Sequence, residues 1–259
     1  MALSLFNLTI KTILRRKTFV IFVLLIGLLP MFLPFLTPWE LNRGLLQPAR
    51  AQAVWSLLWI TMLSWLLFQC AGFGRQLVST GLGAYLKSSG VSGLKQAFQI
   101  WLGCQVFWLG MSLIPVLICV FTASPAEPVE ARLWLYTNLQ FFVSVWLISA
   151  PLSFLAVSLG SRLSATVAYL IPAGLALYGL YGLWYVQLVR ANVKNELIDV
   201  LWITSPHYYL GDLTNRLVFK EGALHASDYV MVACYLGLHG LALSLAGCLL
   251  FRPTTKSGK

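Results

Sequence analysis

The chain has 259 residues, of which 59% are hydrophobic and only 10% are charged, and its formal net charge is +10. Soluble domains contain about 45–50% apolar and about 25% charged residues, so this composition excludes an ordinary soluble protein and favours a membrane protein. No basic patch interleaved with aromatic residues occurs in the sequence, so the positive charge does not indicate nucleic acid as a partner.

The chain begins with an amphipathic pattern over residues 2–17. Apolar residues recur at steps of three and four residues, while the cations Lys11, Arg15 and Arg16 lie on the other side. The apolar residues are Leu3, Phe6, Ile10, Ile13 and Leu14. Such a helix is typical of the membrane interface, where its apolar face contacts acyl chains and its cations lie near lipid phosphates. We therefore expect an interfacial helix with membrane lipid as a partner; a plain inner extension of the first span is the alternative.

Six hydrophobic stretches follow, each long enough to cross the membrane as a helix. A spanning helix needs about 20 apolar residues, and a charge at its centre costs roughly 2.5–3.5 kcal/mol. None of the six carries an acidic or basic residue near its centre. We predict an all-α membrane protein with a single transmembrane domain over residues 1–259. Its spans are residues 18–36, 52–73, 98–122, 133–160, 164–188 and 229–251. Five or seven spans are the alternatives.

All eight acidic residues fall in alternate gaps between these spans, as expected if alternate gaps share one side of a membrane. Eleven of the 18 basic residues lie in the remaining gaps and the two tails, which hold no acid. Because basic residues favour the cytoplasm, both termini are predicted to be cytoplasmic. The acids are Glu40 in the first gap, Glu127 and Glu130 in the third, and Glu196, Asp199, Asp212, Glu221 and Asp228 in the fifth.

The second gap lies on the predicted cytoplasmic side and is too polar and glycine-rich to span. It nevertheless keeps more apolar side chains than a solvated linker needs, which predicts a short helix that docks on another protein. Ser88 and Ser89 are predicted to lead into or cap a second short helix that starts near Val91 and runs into the third span. The apolar residues of this gap are Leu77, Leu82, Tyr85, Leu86, Val91 and Leu94.

The remaining two gaps differ in length. Residues 160–164 form only a tight turn, so the fourth and fifth spans must be an antiparallel hairpin. The fifth gap, residues 189–228, contains apolar pieces that are too short and too charged to cross. They predict short helices that lie at the outer face or dip into it as a re-entrant segment.

No sequence pattern for catalysis is present. The chain lacks a phosphate-binding loop, and it has neither a paired-cysteine zinc motif nor an acidic residue within a span that could relay protons. His239 is the one strongly ionisable side chain at the centre of a span. It could bind haem or a metal or carry a proton, but we favour a neutral imidazole that is hydrogen-bonded to a neighbouring helix. We predict no catalytic residue and no cofactor in this chain.

Two stretches of this layout resemble the permease subunit of type-2 ATP-binding-cassette exporters. Residues 79–95 are similar to the Gly-Thr … Leu-Leu-Ser-x-Pro-Val-Ser-Arg run that forms the coupling helix of that family. Residues 205–212 look like the Ser-Pro-aromatic segment before its last span. The chain departs from the family pattern at Gly90, where proline is common, and at Gly93, where arginine is common; Arg75 and Gln76 stand where an acid is frequent.

The resemblance implies a mechanical role. Two permease subunits, identical or related, would face each other in a bacterial inner membrane, each with a cytoplasmic ATPase subunit that holds ATP and Mg. The ATPase would push on residues 77–95. The implied docking residues are Leu82, Tyr85, Leu86, Lys87, Ser88, Val91, Leu94 and Lys95. The implied outer gate is Pro206, His207, Tyr208 and Tyr209.

Two other functional classes stay open from the sequence. One is a carrier, channel or scaffold subunit that no ATPase drives, and the other is a membrane-embedded enzyme. Charge reversal at Lys87 or Lys95 distinguishes the ATPase-driven permease from a carrier. An ATPase docking surface should tolerate the reversal poorly, and the inner loop of a carrier should tolerate it well.

Overall fold

The computed structural model describes residues 4–36, 43–193 and 195–253. All regular secondary structure within these ranges is helical, which confirms the predicted all-α fold. Some residues of the charge pattern lie outside the described ranges: Glu40, Lys194, Lys256 and Lys259.

Eleven helices occur in the described part of the chain. In order they are α1 Ser4–Arg15, α2 Lys17–Leu28, α3 Leu33–Leu36, α4 Leu46–Ser79, α5 Leu82–Ser88, α6 Gly93–Phe121, α7 Pro128–Gly160, α8 Ala165–Asn192, α9 Glu196–Thr204, α10 Thr214–Val218 and α11 Ala226–Leu250. A helical turn from Arg43 leads into α4, and α4 and α8 each contain a π-helical turn, at Met62–Leu66 and Tyr178–Gly182.

Five of these helices, α4, α6, α7, α8 and α11, are long and apolar enough to cross a membrane, with 25 to 34 residues each. They contain nearly all of the last five predicted spans and extend beyond most of their ends. The structure is therefore compatible with a multi-pass membrane protein.

The first predicted span, residues 18–36, does not form one uninterrupted helix. α2 ends at Leu28, and a 3₁₀ turn over Leu29–Met31 contains Pro30. Proline has no backbone N–H to continue the helical ladder, which accounts for the interruption here. The apolar segment Lys17–Met31 is about 22 Å long as a helix, shorter than the roughly 30 Å of a hydrocarbon core.

α7 is the central helix of the bundle and packs against α4, α6, α8 and α11. Its contact with α4 is close because glycines face backbone on both sides. A Cβ atom at Gly74 would overlap the carbonyl of Val157, and one at Gly160 would overlap the carbonyl of Ala71. Small residues that let helix backbones approach are a general device for packing helices in membranes.

The contact between α6 and α7 is a polar seam inside an apolar bundle. Trp108 Nε1 donates to Ser149 Oγ at 2.7 Å, and Gln105 Nε2 donates to Ser153 Oγ at 2.7 Å. Trp101 Nε1 also reaches Ser153 Oγ, at 3.1 Å. The three donors lie on one face of α6 because they are three or four residues apart. The seam fixes the register of these two helices.

Candidate functional site

The predicted coupling element forms the short helix α5 between α4 and α6. Its two ends are set by glycines in the left-handed region, Gly81 with φ 71° and Gly90 with φ 84°, a backbone conformation that other residues rarely adopt. α6 then begins directly at Gly93, capped by Ser92, whose hydroxyl accepts from the Lys95 N–H at 3.4 Å. The helix predicted to start near Val91 and run into the third span begins at Gly93 and is continuous with α6, and Ser92 rather than Ser88 or Ser89 provides the cap.

The eight predicted docking residues divide into an exposed and a buried set. Leu86 is buried in the core, and Leu82 and Val91 are half-buried against it. The exposed residues are Tyr85, Lys87, Ser88, Leu94 and Lys95. Two large apolar side chains and two cations are therefore exposed on α5 and the first turn of α6, and we call this exposed part of the two helices the inner surface.

Gln96 holds α5 against α6. This side chain is fully buried, and its Nε2 donates to the carbonyl of Gly83 at 3.2 Å and to that of Val91 at 3.0 Å. Gln96 was not predicted from the sequence, because its bonds depend on how the chain turns at Gly90. The bonds make α5 and the start of α6 one unit.

An apolar groove lies beside the inner surface, between α1 and the α4–α5 corner. It has a cavity volume of about 500 Å³, which is within the range of about 300–1,000 Å³ that is usual for ligand pockets. No charged residue of the described ranges lines it. The apolar lining residues are Leu5, Leu8, Phe73, Leu77, Leu82, Tyr85 and Ile100.

α1 forms one wall of this groove, and its buried face agrees with the predicted apolar face only in part. Leu5, Thr9 and Ile13 are buried at steps of four residues, whereas Leu14, which was expected on the apolar face, is 60% exposed. The reason is that α1 packs on α6: the Leu5 N–H donates to Gln99 Oε1 at 3.2 Å. Packing against α6 therefore determines which face of α1 is buried.

At the other end of the bundle, the fifth gap forms α9, a 3₁₀ turn over Tyr208–Gly211 and α10. None of the nine residues of α9 is buried. An ion pair at 2.6 Å between Arg190 and Asp199 joins α9 to the end of α8, and the Arg190 guanidinium lies over the Trp202 ring.

The predicted gate residues lie together between α7, α8 and α11, and we call residues 205–211 the outer segment. Tyr208 is 1% exposed, and its ring lies 5.5 Å from the ring of His239 on α11. Its other neighbour is Gly179 in the π turn of α8, where an added Cβ would come within 2.5 Å of the Tyr208 ring. A glycine at this position therefore makes room for Tyr208.

Two tyrosines that the sequence analysis did not assign to a site hold the outer segment. Tyr235 Oη accepts from the His207 N–H at 3.0 Å and donates to the Ser205 carbonyl at 3.1 Å. Tyr178 Oη is 2.8 Å from Ser205 Oγ. Spacing alone gives no signal for these partners, because they come from helices distant in sequence.

The centre of this site contains buried polar atoms without a hydrogen-bond partner among the described residues. These include Tyr208 Oη and His239 Nε2. The predicted hydrogen bond from His239 to a neighbouring helix is thus not made by Nε2. Desolvation raises the pKa of the buried Tyr208 phenol. No group of three His, Cys, Asp or Glu side chains converges on a metal site in the described ranges.

Comparison with known proteins gives no relative: no family model, no curated protein and no solved structure matches the chain. The described residues supply two candidate surfaces at opposite ends of a helical bundle. One is an exposed apolar and basic face on α5 and α6, and the other is the outer segment packed around buried aromatic rings.

Proposed function

We propose that this chain is the transmembrane permease subunit of an ATP-driven exporter. In this role it forms the translocation pathway with a second permease subunit, and a separate cytoplasmic ATPase subunit binds and hydrolyses ATP. Residues 77–95 receive the motion of the ATPase and the outer segment gates the exit. In this role the chain lines the pathway and transmits motion, and it contributes no catalytic group.

The observation that carries the proposal is the inner surface. Tyr85 and Leu94 are 63% and 52% exposed on an element that Gln96 holds rigidly, and an open apolar groove adjoins them. Large exposed apolar side chains beside cations are typical of a surface that binds another protein. A loop without a partner would gain nothing from this arrangement.

The arrangement of the helix ends supports six crossings. We place both termini in the cytoplasm of a bacterial inner membrane as part of the same proposal. α1 lies beside Thr80 and Gly81 at the groove, whereas Gln47 Nε2 donates to the Ser124 carbonyl at the opposite end. The chain must therefore pass from one end of the bundle to the other between α1 and α4. We assign this first crossing to α2 and the residues that follow it.

The experiment that tests the proposal is purification of the chain from its native membrane with its partners. We expect an ATP-hydrolysing subunit to accompany it, and vanadate to block export. The proposal is wrong if no ATPase accompanies the chain and vanadate leaves its transport unchanged. That result would favour a carrier, channel or scaffold subunit.

Variants of the inner surface locate the contact. Tyr85→Ala should lower recovery of the ATPase, because an exposed aromatic anchor often contributes about 2 kcal/mol or more to a protein interface. Tyr136→Ala is the matched control, since Tyr136 is 50% exposed near the opposite end of the bundle. Lys87→Glu should act like Tyr85→Ala, and Arg132→Glu at the outer end should not. Equal loss in variant and control contradicts docking at α5.

A further inference from the structure

We propose that α11 mechanically links the inner surface to the outer segment, and that Arg162 is the positioning residue that fastens its inner end. The link is a property of the isolated chain, while its use in export rests on the proposed function. Four features of the structure carry it: a clamp at the inner end of α11, a contact with α5, one-sided packing and hydrogen bonds at the outer end.

Arg162 lies in the tight turn between α7 and α8 and clamps the end of α11. Its guanidinium donates to the carbonyl of Leu249 at 3.0 Å and to the carbonyl of Leu250. The last carbonyls of a helix have no partner within the helix, and a cation there is also favoured by the helix dipole. The Ser161 hydroxyl completes the clamp by accepting from the Arg252 N–H at 2.9 Å.

The residues after α11 lie directly against the coupling element. A Cβ added at Gly83 in α5 would overlap the carbonyl of Pro253, and one added at Gly93 would come within 3.2 Å of the Pro253 ring. Pro253 therefore fills the space that these two glycines leave. A displacement of α5 must move Pro253, and the chain passes that movement to α11, whose inner end the clamp holds against the α7–α8 turn.

α11 is packed on one side. Gly240 faces Pro151 of α7, and Gly247 faces the ring of Phe154. The opposite face exposes Leu238 and Leu249, at 70% and 81%. A helix with contacts on one face can shift along its neighbour without repacking a second interface, and it carries that shift along its length.

The outer half of α11 holds the outer segment. Tyr235 makes two hydrogen bonds to the backbone of Ser205 and His207, and His239 packs on Tyr208. Tyr235 lies about 22 Å along the helix from Leu250, at 1.5 Å per residue. One rigid element thus touches both candidate surfaces.

Hydrogen exchange of the purified chain in nanodiscs of phosphatidylcholine and phosphatidylglycerol tests the link. Arg162→Gln removes the clamp and should speed exchange at the end of α11 by about tenfold, the effect of losing a hydrogen bond to a charged group. Residues 205–211, at the opposite end, should exchange about threefold faster, as expected for coupling between distant sites. Arg162→Lys should restore part of the protection at both ends.

Arg252→Gln is the matched control, because it removes a cation of the same terminus whose side chain has no hydrogen bond in the described structure. It should leave residues 205–211 unchanged. Tyr235→Phe removes the outer hydrogen bonds but keeps the ring. In the Arg162→Gln and Tyr235→Phe double variant, the effect of the first change on residues 205–211 should disappear.

The link is overturned if Arg162→Gln loosens the end of α11 and leaves the outer segment as protected as in the parent chain. It is equally overturned if Arg252→Gln has the same outer effect. Neither result touches the proposed function, which instead stands or falls with the accompanying ATPase.

Discussion

Tyr208 fits inside the bundle because the residue opposite it on α8 has no side chain. Gly179 leaves the space, and the ring of His239 closes the other side. Dense packing of this kind makes the site sensitive to single methyl groups. The outer segment is therefore positioned by one glycine as much as by its own aromatic residues.

Gly179→Ala should displace the outer segment, because the new Cβ would collide with the Tyr208 ring and the Pro206 carbonyl. We expect a loss of about 1–3 kcal/mol in stability, the usual cost of overpacking, and faster hydrogen exchange at residues 205–211. Gly174→Ala, on the same helix with nothing within 4 Å of the added atom, is the control. Equal behaviour of the two variants would contradict the close contact.

Tyr208→Phe should change how the free energy of unfolding depends on pH in the alkaline range. Burial raises the pKa of this phenol above its ordinary value of about 10, so the unfolded chain loses the proton first as the pH rises. Stability from this group is then full below about pH 10 and falls above it. Between pH 7 and pH 11 the free energy of unfolding should fall less for the variant than for the parent chain. At pH 7 the two should be equally stable, because the hydroxyl has no partner in the described structure.

At the scale of the elements, the seam between α6 and α7 joins two long helices by indole, amide and hydroxyl groups. Apolar side chains contact lipid as readily as each other, so apolar contact alone gives helices in a membrane little specificity. Trp108 and Ser149 supply that specificity, since both are fully buried and bonded to each other. Their interaction fixes which residues of α6 face α7.

Ser149→Ala should destabilise the bundle by about 1 kcal/mol, because it leaves the Trp108 N–H buried without an acceptor. Ser158→Ala is the control: this serine is also fully buried on α7, but its hydroxyl bonds only to the Phe154 carbonyl of its own helix. Unfolding of both variants in detergent measures the difference. A larger loss of stability for Ser158→Ala would show that the seam does not stabilise the bundle.

At the scale of the whole molecule, charge is separated between the two ends of the bundle. The acid-free gaps meet at one end, where Arg162 reaches α11 and Pro253 reaches α5. The acid-containing gaps meet at the other, where Arg216 is 3.5 Å from Glu221. The two candidate surfaces therefore lie in different electrostatic environments.

Labelling of single cysteines with a membrane-impermeant thiol reagent checks this topology. In a variant without the native cysteines, Lys11→Cys and Arg252→Cys should react only from the cytoplasmic side. Glu130→Cys and Ser227→Cys should react only from the outside. Labelling of Lys11→Cys from the outside would show that α2 does not carry the chain across, leaving five crossings.

Composition and hydrophobic run length were enough to predict an all-helical chain with several long apolar helices, because hydrocarbon requires every backbone group to bond within its own helix. They were not enough for the first apolar stretch, where Pro30 interrupts a run that hydropathy alone treats as continuous. The exposed face of α5 was partly predictable from its mixed composition. Gln96 was not, because its bonds depend on how the chain turns at Gly90.

The sequence by itself determined which segments can lie in a membrane and which gaps share a side, since both follow from residue type summed over short windows. Only the tertiary structure decided which residues meet. Tyr178 and Tyr235 converge on Ser205, and Arg162 reaches Leu249, across separations of 27 to 87 residues. Those contacts follow from helix packing, which depends on the shapes of facing side chains rather than on their order along the chain.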